Sequence, residues 1–324
     1  MTDLKSTIKL IDILFEEAEH TAEPIQLYEP IEYTMHLGGK RIRPTLLVIA
    51  NEMFGGEYET VKNAAIGIEM FHNFTLLHDD LMDNSPVRRG KPSVYYKWNA
   101  NTAILSGDTM YALAWKYFLK QEHPQIHRIL QCFNQTSIEV CEGQQYDMNF
   151  ENEKQVSIPE YMEMIRLKTA VLLAGALKIG AIYANAPDYD IDRIYDFGIH
   201  LGLAFQLQDD LLDATSDISV LGKKTNNDIC DNKKTFLIIK TLEFSTEEQR
   251  KTINRLYQTK PEDPTEKIKS ILEIYTQLDI YKHTKDAIES EFIKAKKSLD
   301  SIQLSPAQKT PLYDILETIQ TRNS

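Results

Sequence analysis

Residues 61–83 read VKNAAIGIEMFHNFTLLHDDLMD, and this stretch decides the fold. Apolar residues recur every three or four positions, which is the period of an α-helix with a buried face. Small residues at the start of the stretch let neighbouring helices approach closely, as they do in the centre of a helical bundle. The last residues form a cluster of carboxylates. We therefore predict a long central helix that ends in an acidic site.

The same carboxylate pattern occurs a second time, as QDDLLD at residues 208–213. Residues i and i+4 share one face of a helix, so Asp79 and Asp83 point together, with Asp80 about 100° away. Asp209, Asp210 and Asp213 repeat this arrangement. A solvated acidic helix end explains one such cluster equally well, but the helix dipole disfavours negative charge there. Two clusters therefore favour a metal site.

Carboxylate oxygens select hard cations, so the expected ion is Mg²⁺, with Mn²⁺ as an acceptable substitute. Zinc is disfavoured because no Cys/His ligand spacing accompanies the clusters.

The rest of the sequence predicts an all-α fold. Helical periodicity runs through most of the chain, and the longest apolar helices are predicted over 61–83, 159–184 and 188–213. Ser157 and Ser245 each precede a Glu three residues later, which is the pattern of a helix-capping box. No low-complexity linker divides the 324 residues. We therefore expect one helical domain over residues 1–324, built as a single large bundle around a deep central cavity.

Composition excludes several classes of partner. The formal net charge of −12 argues against nucleic acid or an anionic membrane surface. The longest apolar stretch, residues 170–186, contains Lys178 and is short for a bilayer, so no transmembrane segment is expected. The first residues lack the pattern of a signal peptide. Three cysteines without framework spacing indicate a reducing compartment, and we predict a cytoplasmic protein.

Basic residues accompany both acidic clusters. The segment GGKRIRP (residues 38–44) places cations on a glycine turn before a helix, and Arg88, Arg89 and Lys91 follow the first cluster. In so acidic a chain, cations beside carboxylate clusters suggest diphosphate groups held by metal on one side and by Arg or Lys on the other.

Seven blocks, in this order, resemble the trans-isoprenyl diphosphate synthases, and they cover about residues 36–235. They are GGKRIRP, LLHDDLMDNSPVRRGKP (76–92), AILSGD (103–108), GQQYD (143–147), KTA (168–170), FQLQDDLLD (205–213) and LGK (221–223). The resemblance implies the isoprenoid synthase fold and, in most members, a homodimer. It also implies head-to-tail condensation of isopentenyl diphosphate with an allylic diphosphate.

The resemblance assigns a role to each matching position. The two Asp motifs would hold three Mg²⁺ ions on the allylic diphosphate, with Asp79, Asp83 and Asp209 as the most direct ligands. Thr169 and Gln206 match polar groups near the developing carbocation. The remaining positions bind diphosphates: the allylic one at Arg88, Lys168, Lys223 and Lys233, and that of isopentenyl diphosphate at Lys40, Arg43, His72 and Arg89.

Product length is expected to depend on the helix just before the first motif. Phe74 lies five residues and Phe71 eight residues before Asp79, which is about 7.5 Å and 12 Å along a helix. In the family, bulk at this place forms the floor of the cavity. An aromatic residue at Phe74 with the smaller Thr75 resembles enzymes that make geranylgeranyl diphosphate. We expect that C20 product, with C15 farnesyl diphosphate as a close second.

Three alternatives remain at this point. A terpene cyclase or a squalene-type head-to-head synthase shares the fold, but neither carries a segment like GGKRIRP. A non-catalytic partner subunit of a prenyl synthase usually lacks one Asp motif, and both are intact here.

Overall fold

The computed structural model describes residues 3–215, 226–259 and 261–321. These residues are helical apart from loops and one hairpin, in which β1 (Val87–Arg88) pairs antiparallel with β2 (Lys91–Pro92). The prediction of an all-α fold is confirmed. In chain order the helices are α1 (Leu4–Glu17), α2 (Ile25–Met35), α3 (Ile42–Met53), α4 (Tyr58–Met82), α5 (Val94–Lys97), α6 (Ala100–Phe118), α7 (Ile126–Asn152), α8 (Ile158–Ile165), α9 (Val171–Tyr183), α10 (Asp188–Thr215), α11 (Asn227–Cys230), α12 (Phe236–Phe244), α13 (Glu247–Leu256), α14 (Thr265–Gln277), α15 (Ile280–Ser301) and α16 (Pro306–Gln320).

Two of the three long helices form as predicted, and the third contains an irregular turn. Helices α4 and α10 extend a few residues beyond the predicted bounds. Between α8 and α9 the chain forms a π-helical segment (Arg166–Ala170), in which the N–H of Val171 bonds to the carbonyl of Arg166. A π turn adds one residue to the helical repeat and occurs most often at functional sites.

The capping prediction is confirmed at one helix and wrong at another. Ser157 caps α8, and Glu160 returns the bond to the Ser157 backbone. Before α13 the cap is Thr246 with Gln249, one residue later than predicted. The backbone N–H of Ser245 still bonds to the carbonyl of Thr241, so Ser245 belongs to the end of α12 and does not start α13.

The chain groups into two compact units. The first comprises residues 1–133, 175–194 and 303–312, and the second comprises residues 134–174, 195–302 and 313–324. In the first unit, α4 packs against α6 closely enough that a Cβ at Gly67 would lie 3.1 Å from the carbonyl of Ala114. The second unit contains the π segment and most of α10. A single domain over residues 1–324 stays a prediction.

Among the described residues, every helix is either too short or too polar to cross a bilayer.

Candidate active site

The first acidic cluster lies at the C-terminal end of α4. Asp79 is half-buried, Asp80 is only 3 % exposed, and Asp83 is an exposed residue that caps the helix. The backbone N–H of Asp83 bonds to the carbonyl of Asp79 at 2.8 Å, which continues the helical spacing to the last carboxylate. The helix therefore presents Asp79 and Asp83 one turn apart.

Asp80 forms an ion pair with Arg88. The Nε of Arg88 donates to both carboxylate oxygens of Asp80, at 3.0 and 3.1 Å. The β1–β2 hairpin places Arg88 there, because its turn uses Arg89 and Gly90 at positive φ. Burial raises the pKa of the Asp80 carboxyl, and the Arg88 guanidinium opposes that rise. Asp80 thus anchors Arg88 beside the two other carboxylates.

A cluster of arginines begins at the start of α3, where Arg41 and Arg43 meet Glu69 and His72 of α4. Arg41 donates to the buried Glu69 at 2.8 Å, and its guanidinium also bonds the carbonyl of Met35. Arg43 donates to Nε2 of His72 at 3.0 Å. A guanidinium has only donors, so His72 accepts through a deprotonated nitrogen.

The glycine turn before α3 brings Arg89 into this cluster. Arg89 donates to the carbonyl of Gly38. Gly39 has a φ of 133°, and a Cβ there would lie 2.7 Å from Cζ of Arg89. Only glycine permits both this backbone and this approach. The exposed Lys40 extends the same turn.

Positive charge is in surplus here. Glu69 and Asp80 face the cluster and pair with Arg41 and Arg88, and Asp79 and Asp83 also attract Arg88. In the part of the chain that the structure describes, Arg43 and Arg89 form no ion pair, and the buried Nε of Arg43 has no hydrogen-bond acceptor.

Burial is the main cause of the pKa shifts in this cluster, and neighbouring arginines add to it. Burial lowers the pKa of Arg43 to about 10, and Arg89 adds to the effect. Burial also lowers the pKa of Arg89, with neighbouring arginines contributing. Burial and then Arg43 hold the pKa of His72 well below its ordinary value, so His72 is neutral. Such a cluster is suited to bind a multiply charged anion.

The residues expected to set product length separate into a core residue and an accessible one. Phe71 is 0 % exposed and packs on Phe133 with ring centroids 5.5 Å apart. Phe74 is half-buried and stacks on Tyr111 of α6 at 5.5 Å and 24°. Thr75 uses its hydroxyl to bond the carbonyl of His72 at 2.8 Å. Phe71 is therefore part of the core, and Phe74 is the better candidate for contact with a growing chain.

The second acidic cluster lies near the C-terminal end of α10. Asp209 and Asp213 are half-buried, and Asp210 is 6 % exposed. Asp210 accepts from the hydroxyl of Tyr161 and, at 3.1 Å, from the amide of Gln206. Burial raises the pKa of Asp210 to about 7, and these two hydrogen bonds oppose the rise. The middle Asp of each cluster is thus held by protein groups.

The π segment presents Lys168 and Thr169 beside α10. Thr169 donates to the side-chain oxygen of Gln206 at 3.0 Å, and Lys168 donates to Asp147 of α7 at 2.6 Å. Two glycines admit the widened turn. A Cβ at Gly143 would lie 2.2 Å from the nitrogen of Lys168, and one at Gly202 would lie 2.5 Å from Cα of Ala170.

Asp213 is fixed by the loop that follows the second cluster. Its two oxygens accept from the backbone N–H groups of Asn227 and Asp228, at 3.2 and 3.1 Å. Lys233 closes the loop by bonding its N–H to the carbonyl of Asp228 at 2.9 Å, and its ammonium lies 4.0 Å from the Asp228 carboxylate. Lys223, predicted to contact the allylic diphosphate, lies outside the described residues.

The donor set fits magnesium. Asp79, Asp83 and Asp209 offer carboxylate oxygens, the ligands that Mg²⁺ prefers. Within the described residues, no three His, Cys, Asp or Glu side chains converge on a common point that could hold an ion. A metal at either acidic cluster would draw further ligands from water or from a phosphate, which is how Mg²⁺ is usually bound.

Sequence reasoning missed several residues that organise these clusters. Tyr111 stacks on Phe74, Tyr161 holds Asp210, and Glu69 balances Arg41. Each of these contacts joins residues at least 28 positions apart, so local periodicity does not predict it. The one indication in the sequence is Glu69, because a carboxylate within the apolar stretch 64–71 requires a buried partner.

Comparisons with known proteins identify the family of the chain. The family model described as "Polyprenyl synthetase" matches residues 24–275. A geranylgeranyl diphosphate synthase of Methanosarcina mazei is 35 % identical over 323 residues, which is 99 % of this chain and 97 % of that protein. A crystal structure of a geranylgeranyl pyrophosphate synthase superposes with a TM-score of 0.94 at 40 % identity and covers 100 % of both chains.

A polyprenyl synthase from Caulobacter crescentus CB15, complexed with calcium and isoprenyl diphosphate, superposes with a TM-score of 0.88 at 25 % identity, covering 99 % of this chain and 96 % of that one. These matches do not favour a cyclase or a head-to-head synthase. The chain belongs to the polyprenyl synthetase family of prenyltransferases.

Proposed function

We propose that this protein condenses isopentenyl diphosphate with allylic diphosphates, head to tail and with Mg²⁺, to give a short all-trans prenyl diphosphate. Geranylgeranyl diphosphate is the favoured product and farnesyl diphosphate the close second. One observation carries the proposal: Arg43 and Arg89, which form no ion pair in the described part of the chain, lie close to the neutral His72. This arrangement supports a diphosphate site apart from the acidic clusters, as a two-substrate condensation requires.

The residues around this site bind the diphosphate of isopentenyl diphosphate. Arg43 and Arg89 supply charge, and the exposed Lys40 adds a third cation. His72 accepts from Arg43 and thereby fixes the direction in which its guanidinium points. Arg88, aimed by Asp80, serves the allylic diphosphate together with Lys168, Lys233 and Lys223.

Asp79, Asp83 and Asp209 would hold Mg²⁺, which would supply Lewis-acid charge to stabilise a departing diphosphate. Asp210 and Asp213 orient the second cluster through their protein partners. Lys168 holds further positive charge where diphosphate leaves. Thr169 and Gln206 place oxygen atoms near the allylic carbocation, which the double bond of isopentenyl diphosphate attacks. The released diphosphate is the base that takes the proton.

The chain-length assignment rests on burial. Phe74 is accessible and braced by Tyr111, so it resists displacement by a growing chain. The relatives named as geranylgeranyl diphosphate synthases support the C20 product.

Compartment and assembly are part of the same proposal. Three cysteines without framework spacing in the sequence support a reducing, cytoplasmic setting. A homodimer is expected, and Ile104 and Leu105 of α6, which are 46 % and 58 % exposed, offer apolar surface for it.

A product assay tests the proposal. Purified protein with Mg²⁺ and isopentenyl diphosphate is supplied with C5, C10 or C15 allylic diphosphate, and the products are sized by mass spectrometry. Arg43→Met should raise the KM for isopentenyl diphosphate about 10-fold or more, and leave the KM for the allylic substrate nearly unchanged. No condensation from any starter would reject the proposed reaction, and activity of this chain alone would reject a non-catalytic subunit.

A further inference from the structure

A buried lysine outside the recognised motifs holds the loop that follows the second acidic cluster. Lys267 lies in the first turn of α14 and is only 2 % exposed. Lysine is rarely this buried unless its charge is satisfied. A cation is also disfavoured at a helix N-terminus, because the helix dipole is positive there. Neither burial nor helix formation explains a lysine at this position, so its contacts must.

The Lys267 ammonium bonds to three oxygens. It donates to the carbonyl of Cys230 at 3.4 Å, to the side-chain oxygen of Asn232, and to the carbonyl of Thr259 at 3.4 Å. An ammonium has three protons, so each can serve one of these oxygens. The ring of Tyr257 lies 5.1 Å from the ammonium and covers it. Two of the three acceptors belong to one short loop, residues 226–235.

That loop has a conformation that needs support. Asn226 and Asn232 adopt positive φ angles of 63° and 62°. Between them, α11 is a single turn of four residues, too short to be stable alone. Besides Lys267, the side chain of Asn232 also bonds Thr259, at 3.4 Å. The loop is therefore tied to the start of α14 through Asn232 and Cys230.

The same loop carries groups of the candidate site. Its backbone N–H groups at Asn227 and Asp228 hold both oxygens of Asp213. Its last residues include Lys233, whose N–H bonds the carbonyl of Asp228. A shift of the loop would thus move Asp213 and Lys233 together.

We propose that Lys267 is a positioning residue for the allylic diphosphate site, acting through loop 226–235. The inference rests on the proposed function for its effect on substrate, but the effect on the loop is independent of it. Removing the ammonium takes this donor from the carbonyl of Cys230 and the side-chain oxygen of Asn232 and so releases the loop. Binding of isopentenyl diphosphate, assigned to Arg43 and Arg89, does not depend on that loop.

The test compares Lys267→Met with Lys269→Met, which removes an exposed lysine from the same helix. Hydrogen exchange is measured first, on the full chain without metal or substrate. The amides of Asn227 and Asp228 should exchange at least about 10-fold faster in Lys267→Met and at the wild-type rate in Lys269→Met. Steady-state assays should then show the KM for the allylic diphosphate raised about 10-fold, with the KM for isopentenyl diphosphate unchanged.

A second variant guards against misfolding of Lys267→Met. Asn232→Gly keeps the left-handed backbone and removes the side-chain oxygen that Lys267 contacts, so a smaller change of the same kind is expected. Unchanged exchange in both variants, or an equal rise of both KM values, would overturn the inference. If the wild-type chain makes no product, the proposed function fails, and the exchange rates still decide the role of Lys267.

Discussion

A single methyl group added at Gly143 should lower the catalytic rate strongly and the stability of the fold much less. In Gly143→Ala the new Cβ would start 2.2 Å from the backbone nitrogen of Lys168, whereas real Cβ contacts are not found below 3.0 Å. The π segment must therefore move by about 0.8 Å, and Lys168 and Thr169 move with it. A misplacement of about 1 Å can cost about 100-fold in rate, equivalent to about 2.7 kcal/mol of activation free energy.

The stability of this variant should change much less. Overpacking costs about 1–3 kcal/mol, and replacing glycine by alanine within a helix returns about 1 kcal/mol. Gly180→Ala is the matched control, because its Cβ would lie 2.1 Å from the carbonyl of Leu47. It imposes a similar clash without touching the π segment.

Both variants are measured by urea unfolding and by kcat/KM for the allylic diphosphate. We expect a comparable loss of stability in the two, and the large loss of kcat/KM only in Gly143→Ala. If Gly143→Ala keeps kcat/KM within about threefold of wild type, the π segment does not position catalytic groups.

Three further predictions concern the first unit. Phe74→Ala should lengthen the products seen by mass spectrometry, and unchanged products would contradict the chain-length assignment. Phe71→Ala should instead lower the free energy of unfolding by about 3–5 kcal/mol, since Phe71 is 0 % exposed. Asp79→Ala should abolish turnover and change the free energy of unfolding by about 1 kcal/mol or less in metal-free buffer, because Asp79 is only half-buried and its removal relieves repulsion with neighbouring carboxylates. Retained activity would refute its role. Burial lowers the pKa of His20 to about 4, so the unfolded chain takes up a proton near pH 6.5 and the folded chain does not. The free energy of unfolding should therefore fall as the pH drops from about 6.5 towards 4. Between pH 7 and 5 it should fall by about 1–2 kcal/mol more in the wild type than in His20→Gln. An equal dependence on pH in the two proteins, measured by urea unfolding, would exclude this cause.

The sequence predicts those features of the site that repeat at short range. The i, i+4 spacing correctly places Asp79 and Asp83 on one helix end, and the apolar period predicts α4 and α10 to within a few residues. The π segment is not predicted, because a five-residue turn leaves the apolar pattern of residues 159–184 almost unchanged. The sequence indicates the π segment only through Gly143. The need for glycine at that position becomes clear only from the packing of α7 against the π segment.

Other features depend on packing between distant segments. The i, i+3 spacing puts Phe71 and Phe74 close together on α4 and both contact Tyr111, whereas Phe133 packs on the buried Phe71. Asp80 resembles Asp79 in sequence, but the hairpin turn brings Arg88 onto one and not the other. Lys267 has no motif around it, and its role emerges only from the loop that it contacts.

The arginine cluster also affects how the folded chain responds to its surroundings. Arg43 and Arg89 form no ion pair in the described part of the chain, so repulsion among the arginines opposes folding, and a bound diphosphate should relieve it. A ligand at 100 times its dissociation constant adds about 2.7 kcal/mol to the stability of the folded state. Inorganic diphosphate should therefore raise the melting temperature even though it cannot be prenylated. Through this linkage, the resistance of the enzyme to heat and proteolysis follows the supply of its own substrate.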